Sequence, residues 1–436
     1  MNSSVLSPCS SFFSGVARAW LLLFLLGALG SAQAASIKQF AREFRLQLAA
    51  KILPYWLDTA LDMTNGGYVL ADDGKGKSVA KDKQLVGQAR VVWTFSHAHL
   101  KGYSTASHDY LKAAEHGYRF LIKHFLDPVH GGYYWKTDLA GTPVNDRKIL
   151  YGQAFVIYAL VEYHRASGSK EALQHAMDLY RAVQNHTHDR EHPGWFEHHT
   201  RDWQLIARPE PGCEVEIPGL KSANAHLHLM EALAELHAVT RDVSVRQSLE
   251  ESLRINTTYF YPRDAGKSCF HRQPDWKAVA DPKSAGLSYG HNVEFAWLMI
   301  RAEQILGRPP SWKHFQAHVD HALKYGYDQE RGGLYNRGEG DQPATQKDKV
   351  WWVQAEMLAA LTDGFVHKPS AEYARSLESL LDFITKYQAD PRDGIWRDTV
   401  AEDGGEKNPA KAHNWKANYH DVRALVKFTD AFAPVK

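Results

Sequence analysis

The chain has 436 residues, 44% of them hydrophobic and 23% charged, with 24 His, 13 Trp and 3 Cys. That is ample apolar material for a large shielded core, and it excludes a disordered chain. Its 51 Lys and Arg against 50 Asp and Glu leave a net charge of +1, which provides no basic field of the kind that gathers phosphates and argues against a nucleic-acid partner.

Residues 1–34 read as a secretory signal: Arg18, an apolar run from Ala19 to Leu29, and the small-residue site Ala32-Gln33-Ala34 before Ala35. The run is shorter than the roughly 20 residues of a spanning helix. The expectation is an exported protein, periplasmic or secreted, without stable membrane insertion and with one mature domain at 35–436. Removing Arg18 leaves 50 basic against 50 acidic residues. Cys9 leaves with the signal, and Cys213 and Cys269 are too few for a disulfide framework; they receive no role.

Twelve helix-length patterns follow, with apolar residues recurring at three and four: 37–60, 84–102, 108–126, 149–168, 170–187, 222–240, 243–260, 290–307, 311–327, 349–367, 370–388 and 414–432. A glycine-aromatic turn separates the members of each pair, as in Asn65-Gly66-Gly67-Tyr68, His130-Gly131-Gly132-Tyr133, Pro193-Gly194-Trp195-Phe196, Arg331-Gly332-Gly333-Leu334 and Asp393-Gly394-Ile395-Trp396. The repeat is about 65 residues, with Tyr259 to Phe270 filling the one double gap. Strand signals are confined to short pieces such as 67–70 and 133–136, which predicts small hairpins and no central sheet. Six helical hairpins without a linker predict an all-α (α/α)6 barrel, an inner ring of six helices inside an outer ring. A linear solenoid would want polar capping repeats, which the sequence does not offer.

The unusual chemistry clusters at the start of the second helix of each pair. If these helices form the inner ring, their N-termini converge on one mouth, where a developing negative charge is favoured. His291 and His420 come from different units at equivalent places, an arrangement for one base and one acid on either side of a small ligand. Each has a carboxylate nearby in sequence, Glu294 three residues on and Asp421 adjacent. Asn224 and His228 lie one helical turn apart and are expected to face the ligand, with His226 pointing elsewhere. His-x-His on a helix, without a third ligand at a familiar spacing, argues against a metal site. Arg90 sits in an apolar helix start, where an unpaired cation is costly. It should meet a structural carboxylate or an oxygen that gains charge during reaction. Trp351, Trp352, Trp415 and Tyr151 offer an aromatic rim for sugar faces. Lys75-Gly76-Lys77-Ser78 has the tail of a phosphate loop without its first glycine or a preceding strand, and reads as a loop.

Taken in order, Gln88-Ala89-Arg90, Tyr151-Gly152-Gln153-Ala154-Phe155, Asn224-Ala225-His226-Leu227-His228, Tyr289-Gly290-His291-Asn292-Val293-Glu294, Trp351-Trp352-Val353-Gln354-Ala355-Glu356 and Trp415 to His420 resemble the N-acylglucosamine 2-epimerase superfamily, and within it the cellobiose 2-epimerase branch. The resemblance implies a cofactor-free epimerisation or isomerisation of a mono- or disaccharide by a monomer or dimer. It implies that His420 and His291 transfer protons, that His228 and Asn224 help open the sugar ring and hold it, that Arg90 faces the enediolate oxygens and that Glu294 supports its histidine. Tyr151, Trp351, Trp352, Glu356 and Trp415 would contact the sugar. Asn292 departs from the Asp that the branch usually carries. An aldose-ketose isomerase is the alternative reading. A polysaccharide lyase, or a glycosidase using Glu294 and Glu356 as its carboxylates, could use the same barrel.

Overall fold

The computed structural model describes residues 33–71, 79–280 and 286–434. Most of the predicted signal, with Cys9, and the Lys75 to Ser78 loop lie outside the described residues. Helix α1 covers 33–60, with a π turn at Leu48–Ile52. It is followed by α2 (Leu85–Leu100), α3 (Tyr110–Phe120, extended by a π turn to Phe125), α4 (Leu150–Ser167), α5 (Lys170–His186) and α6 (Ala223–Thr240). The second half holds α7 (Val243–Ile255, extended by a π turn to Phe260), α8 (Tyr289–Ile305), α9 (Trp312–Tyr325), α10 (Trp351–His367), α11 (Ala371–Phe383, extended to Gln388) and α12 (Tyr419–Phe432).

The even-numbered helices pack side by side in the cyclic order α2, α4, α6, α8, α10, α12 and back to α2, and the odd-numbered ones lie outside them. This is the (α/α)6 barrel. Burial explains the sorting. In α4 every residue from Leu150 to Tyr163 is buried, as befits a helix walled on all sides. Outer α5 buries only Ala172, Ala176, Leu179, Tyr180 and Val183, one stripe at helical spacing. Ring closure is fixed by Thr94 Oγ1 donating to the Asn418 carbonyl (3.3 Å) and by Arg45 and Lys101 converging on Asp430 at 2.8 and 2.7 Å. No helix among the described residues is long and apolar enough to cross a membrane.

Short strands tie successive units together instead of forming only local hairpins. β1 (Asp82–Gln84), just before α2, pairs antiparallel with β2 (Lys136–Asp138) of the next unit, which turns back onto β3 (Pro143–Asn145). The pattern recurs as β4 (Lys148–Ile149) with β5 (His198–His199), β6 (Lys221–Ser222) with β7 (His271–Arg272), and β8 (Leu287–Ser288) with β9 (Arg337–Gly338). The last case is β10 (Lys349–Val350) with β11 (Thr399–Val400), which also carries β12 (Glu406–Asn408).

Each glycine-aromatic turn is held by the same two side chains. Asp62 caps its turn through the backbone N–H groups of Thr64 and Asn65, and its other oxygen pairs with buried Lys83 at 2.8 Å. Asp127 with Lys148, Asp189 with Lys221, and Asp328 with Lys349 repeat the pair at 3.1, 2.9 and 2.6 Å. Five residues after the lysine a glutamine closes the unit. Gln88 accepts from Tyr68 N–H (2.8 Å) and donates to Tyr68 C=O (2.9 Å), and Gln153 and Gln354 do the same for Tyr133 and Leu334. The clamp gives two buried backbone groups the partners they require. Gly67, at φ 67°, approaches so closely that a Cβ would lie 2.7 Å from Gln88 Oε1 and 2.8 Å from the Phe120 ring.

Predicted and observed helices agree to within two residues except at two ends. α1 begins at residue 33 rather than 37, and α12 begins at Tyr419 rather than 414. Residues 413–416 form a turn instead: His413 and Lys416 exchange backbone hydrogen bonds, and His413 Nδ1 accepts from the N–H groups of Trp415 and Lys416. Trp415 therefore precedes its helix.

Candidate active site

The convergent N-termini of the inner helices surround a cavity of about 290 Å³ lined by Arg90, Tyr151, Val215, Asn224, His228, His291, Glu294, Trp351, Trp352, Trp415 and His420. Ten of the eleven predicted site residues are there, and the size suits a small polar ligand. The reason is periodic. The position five residues into the helix is Arg90 in α2, Phe155 in α4, His228 in α6, Glu294 in α8 and Glu356 in α10, one turn beyond the position held by Tyr151, Asn224 and Trp352. Those two levels face the barrel axis. Glycine makes one contact possible: a Cβ on Gly290 would lie 2.5 Å from the Trp352 ring. That ring sits 4.7 Å from His291 and 5.9 Å from His420 between centroids.

Beneath the cavity lies a buried ionic layer organised by Arg423 of α12. Its guanidinium donates to Glu294 Oε1 (2.9 Å), to Glu356 Oε1 (2.8 Å), and to Glu231 and the Tyr419 hydroxyl. Burial by itself would raise Glu356, but Arg423 and His420 outweigh it and hold the carboxyl down at about 2. Glu231 is lowered by the same competition, with Arg423 and His228 prevailing. Glu294 goes the other way, pushed well above the usual carboxylate range by burial and by the charge of Glu356. Its second oxygen, Oε2, is buried without a hydrogen-bond partner and lies 4.0 Å from His228 Nε2.

The carboxylates fix two histidine tautomers. Ionised Glu356 can only accept, so His420 donates its Nδ1–H at 2.6 Å and keeps the lone pair on Nε2. His228 likewise donates Nδ1–H to Glu231 at 2.9 Å. Burial holds His420 and His291 down at about 3 and lowers His228 as well. All three imidazoles are neutral at physiological pH and can accept a proton.

Of its two predicted partners, Arg90 does not take the structural carboxylate. It donates to the Tyr151 hydroxyl (2.8 Å) and the Trp415 carbonyl (2.9 Å), and its guanidinium lies 4.4 Å above the Phe155 ring. Among the described residues it has no ion-pair partner, and its Nε is buried without an acceptor. Burial keeps Tyr151 protonated, its pKa raised to about 12 against the pull of Arg90. The start of α4 is held by Glu197, which accepts from Tyr151 N–H (3.0 Å) and from Ser222 Oγ (3.2 Å). Burial and neighbouring Glu216 push that carboxyl up to about 8.

Three expectations are corrected. Glu294 does not hydrogen-bond His291; at i,i+3 it is drawn to Arg423 across the axis. Asp421 does not hold His420, whose ring turns inward to Glu356. Glu356 is the one predicted sugar contact outside the cavity lining, since Trp297 Nε1 (2.9 Å), His420 and Arg423 consume its oxygens. Glu294, Glu356 and His420 have ligand atoms within 4.8 Å of one another, but Arg423 already bridges both carboxyls, which is poor chemistry for a divalent cation. The same bridge argues against two opposed glycosidase carboxylates.

Arg423, Glu231, Val215 and Glu216 escaped the sequence reading. Arg423 could have been found by the logic applied to Arg90, a cation in an apolar helix, and Glu231 by its i,i+3 spacing from His228. Glu216 accepts from Asn224 Nδ2 (3.1 Å) and pairs with His271 Nε2 (2.7 Å); it sits in a loop with no periodic signal.

Buried neutral histidines predict an acid-sensitive fold. His199, His226 and His318 are held at about 3 by burial, as are His291 and His420. Each protonates near 6.5 when unfolded, so the unfolded state binds more protons between those values. Their contribution is fully present above about 6.5 and drains as pH falls towards 3, by up to ~1.4 kcal/mol per unit and per histidine. Thermal unfolding followed from pH 7.5 to 4.5 should show a steadily falling midpoint; a flat midpoint would contradict the burial assignment.

The N-acylglucosamine 2-epimerase (GlcNAc 2-epimerase) family model matches residues 66–424. Cellobiose 2-epimerase of Bacteroides fragilis is 29% identical over 392 residues, 88% of this chain and 97% of that protein. The Ruminococcus albus cellobiose 2-epimerase is 31% identical over 393 residues, again 88% and 97%. The solved cellobiose 2-epimerase of Spirochaeta thermophila matches with a TM-score of 0.81 at 32% identity, covering 91% of this chain and 98% of that one. The barrel, the convergent mouth and the matched span agree: the chain belongs to the N-acylglucosamine 2-epimerase family.

Proposed function

We propose that the protein is a sugar 2-epimerase that acts on the reducing-end aldose by proton transfer at C2. The observation that carries the reading is the pair of neutral imidazoles, His291 and His420, from different units on one small cavity with Arg90 beside them. In the open-chain aldose, C2–H is acidic because the resulting carbanion delocalises onto the C1 carbonyl as an enediolate. One histidine takes that proton through a free ring nitrogen. The enediolate charge then raises the pKa of the imidazolium and favours the transfer. Arg90, whose charge no carboxylate among the described residues neutralises, and the Tyr151 hydroxyl are the donors for the two enediolate oxygens. The second histidine enters the turnover carrying a proton drawn from solvent and delivers it to the opposite face of C2, which gives the epimer; the first histidine then releases its proton to solvent and the pair is reset. Return of a proton to C1 would give a ketose, the product of the aldose-ketose alternative.

The names of the relatives support a β-linked disaccharide as substrate, and the mature charge balance suits a neutral sugar. Incubation of the pure protein with cellobiose, mannobiose, glucose, mannose and N-acetylglucosamine, without added nucleotide, tests the reading. Conversion of at least one sugar into its C2 epimer is expected; ketose alone would favour the isomerase, and unchanged sugars throughout would overturn both. We propose export on the strength of the N-terminal pattern, with a mature chain that begins at Ala35.

A further inference from the structure

Val215 stands apart from every other residue of the cavity wall. The others come from inner-helix starts or the turn before α12, whereas Val215 belongs to the loop between β5 and β6. It is the one aliphatic side chain among the described residues of the lining and is 37% exposed. Its φ is +85°, a left-handed conformation that a β-branched residue rarely adopts, and strain of this kind persists only where surrounding structure imposes it.

The neighbours on both sides supply that imposition. Glu214 pairs with Lys136 of β2 at 2.9 Å, and its carbonyl accepts from His198 Nε2 of β5 at 2.8 Å. Glu216 is tied to Asn224 and His271. Four partners on four different elements thus pin the loop, and between them an apolar side chain is held out at the cavity mouth. Burial cannot be the reason, since the side chain remains exposed. What such a group can touch is a ligand too large for the cavity itself.

We propose that Val215 determines specificity by packing against the apolar C–H face of the sugar unit attached to the reacting aldose, so that a disaccharide is preferred over its reducing monosaccharide. This rests on the reading of the site as a reducing-sugar epimerase. The loop spends backbone strain to present a methyl-rich surface on the cavity that Tyr151 and Asn224 also line, and a second pyranose ring leaving the cavity gives that surface a partner.

Val215→Gly is the direct test, because glycine accepts φ +85° and removes the side chain without endangering the loop. With cellobiose and glucose as paired probes, the kcat/KM ratio of disaccharide to monosaccharide should fall about tenfold, the range for small apolar contacts in a pocket. The change should reside mainly in KM for cellobiose. Val215→Ile, which keeps the branched aliphatic surface, should retain the preference. Conversion of both sugars by Val215→Gly with an unchanged ratio would overturn the inference alone. Wild-type protein that converts neither sugar would overturn the functional reading and the inference with it.

Discussion

Arg423→Met should destabilise the protein by about 3–5 kcal/mol, the cost of stripping the partner from buried charges. Three carboxyls, Glu231, Glu294 and Glu356, take hydrogen bonds from this one guanidinium. Methionine fills the volume and leaves ionised Glu231 and Glu356 without the cation that compensates them. The carboxyls would respond by taking up protons, and both histidine tautomers would lose their anchors. Urea unfolding of wild type and variant gives the measurement. A loss below about 1 kcal/mol would mean that the ionic layer is solvated and does not work as described. Glu231→Gln should cost less, since the amide oxygen can still accept from Arg423.

His420→Asn should lower kcat by about 10²-fold or more, the contribution expected of a positioned general base, with stability close to wild type. Asparagine can still donate to Glu356, whose other partners, Arg423 and Trp297, are untouched. A change in rate without a change in unfolding separates catalysis from packing. Activity within a few-fold of wild type would remove His420 from the proton-transfer pair. The same substitution at His291 decides the division of labour, since each variant should retain C2 proton exchange for the one sugar whose hydrogen faces the surviving imidazole.

Much of this architecture was legible because it is periodic. The 3.6-residue stripes of α3, α5 and α9 and the recurring glycine-aromatic turns announce outer helices and connections, and six such units leave a closed ring as the economical arrangement. The cavity wall followed from the same regularity: Arg90, His228 and Glu294 sit five residues into their helices, and equal depth in a symmetric barrel means one mouth. Pairings across the axis were not legible. Glu294 looked like the partner of His291 on local spacing, yet it answers to Arg423, 129 residues away in sequence. Nor did the glutamines of the inner-helix starts reveal their purpose. Gln88, Gln153 and Gln354 shared motifs with ligand-facing residues and turned out to clamp the turns; His226 serves the Trp195 turn in the same position. The loop carrying Val215 and Glu216 lacks periodicity altogether, and only its tertiary anchors define it.

Proton exchange at C2 is the central claim, and isotope labelling reads it without any substitution. Wild-type protein incubated with cellobiose in deuterated water, with the products examined by NMR, should yield the C2 epimer carrying deuterium at C2 of the reducing unit. An epimer formed in deuterated water with only protium at C2 would contradict the account, because neither His291 nor His420 would then have exchanged its proton with solvent before returning one to the carbon.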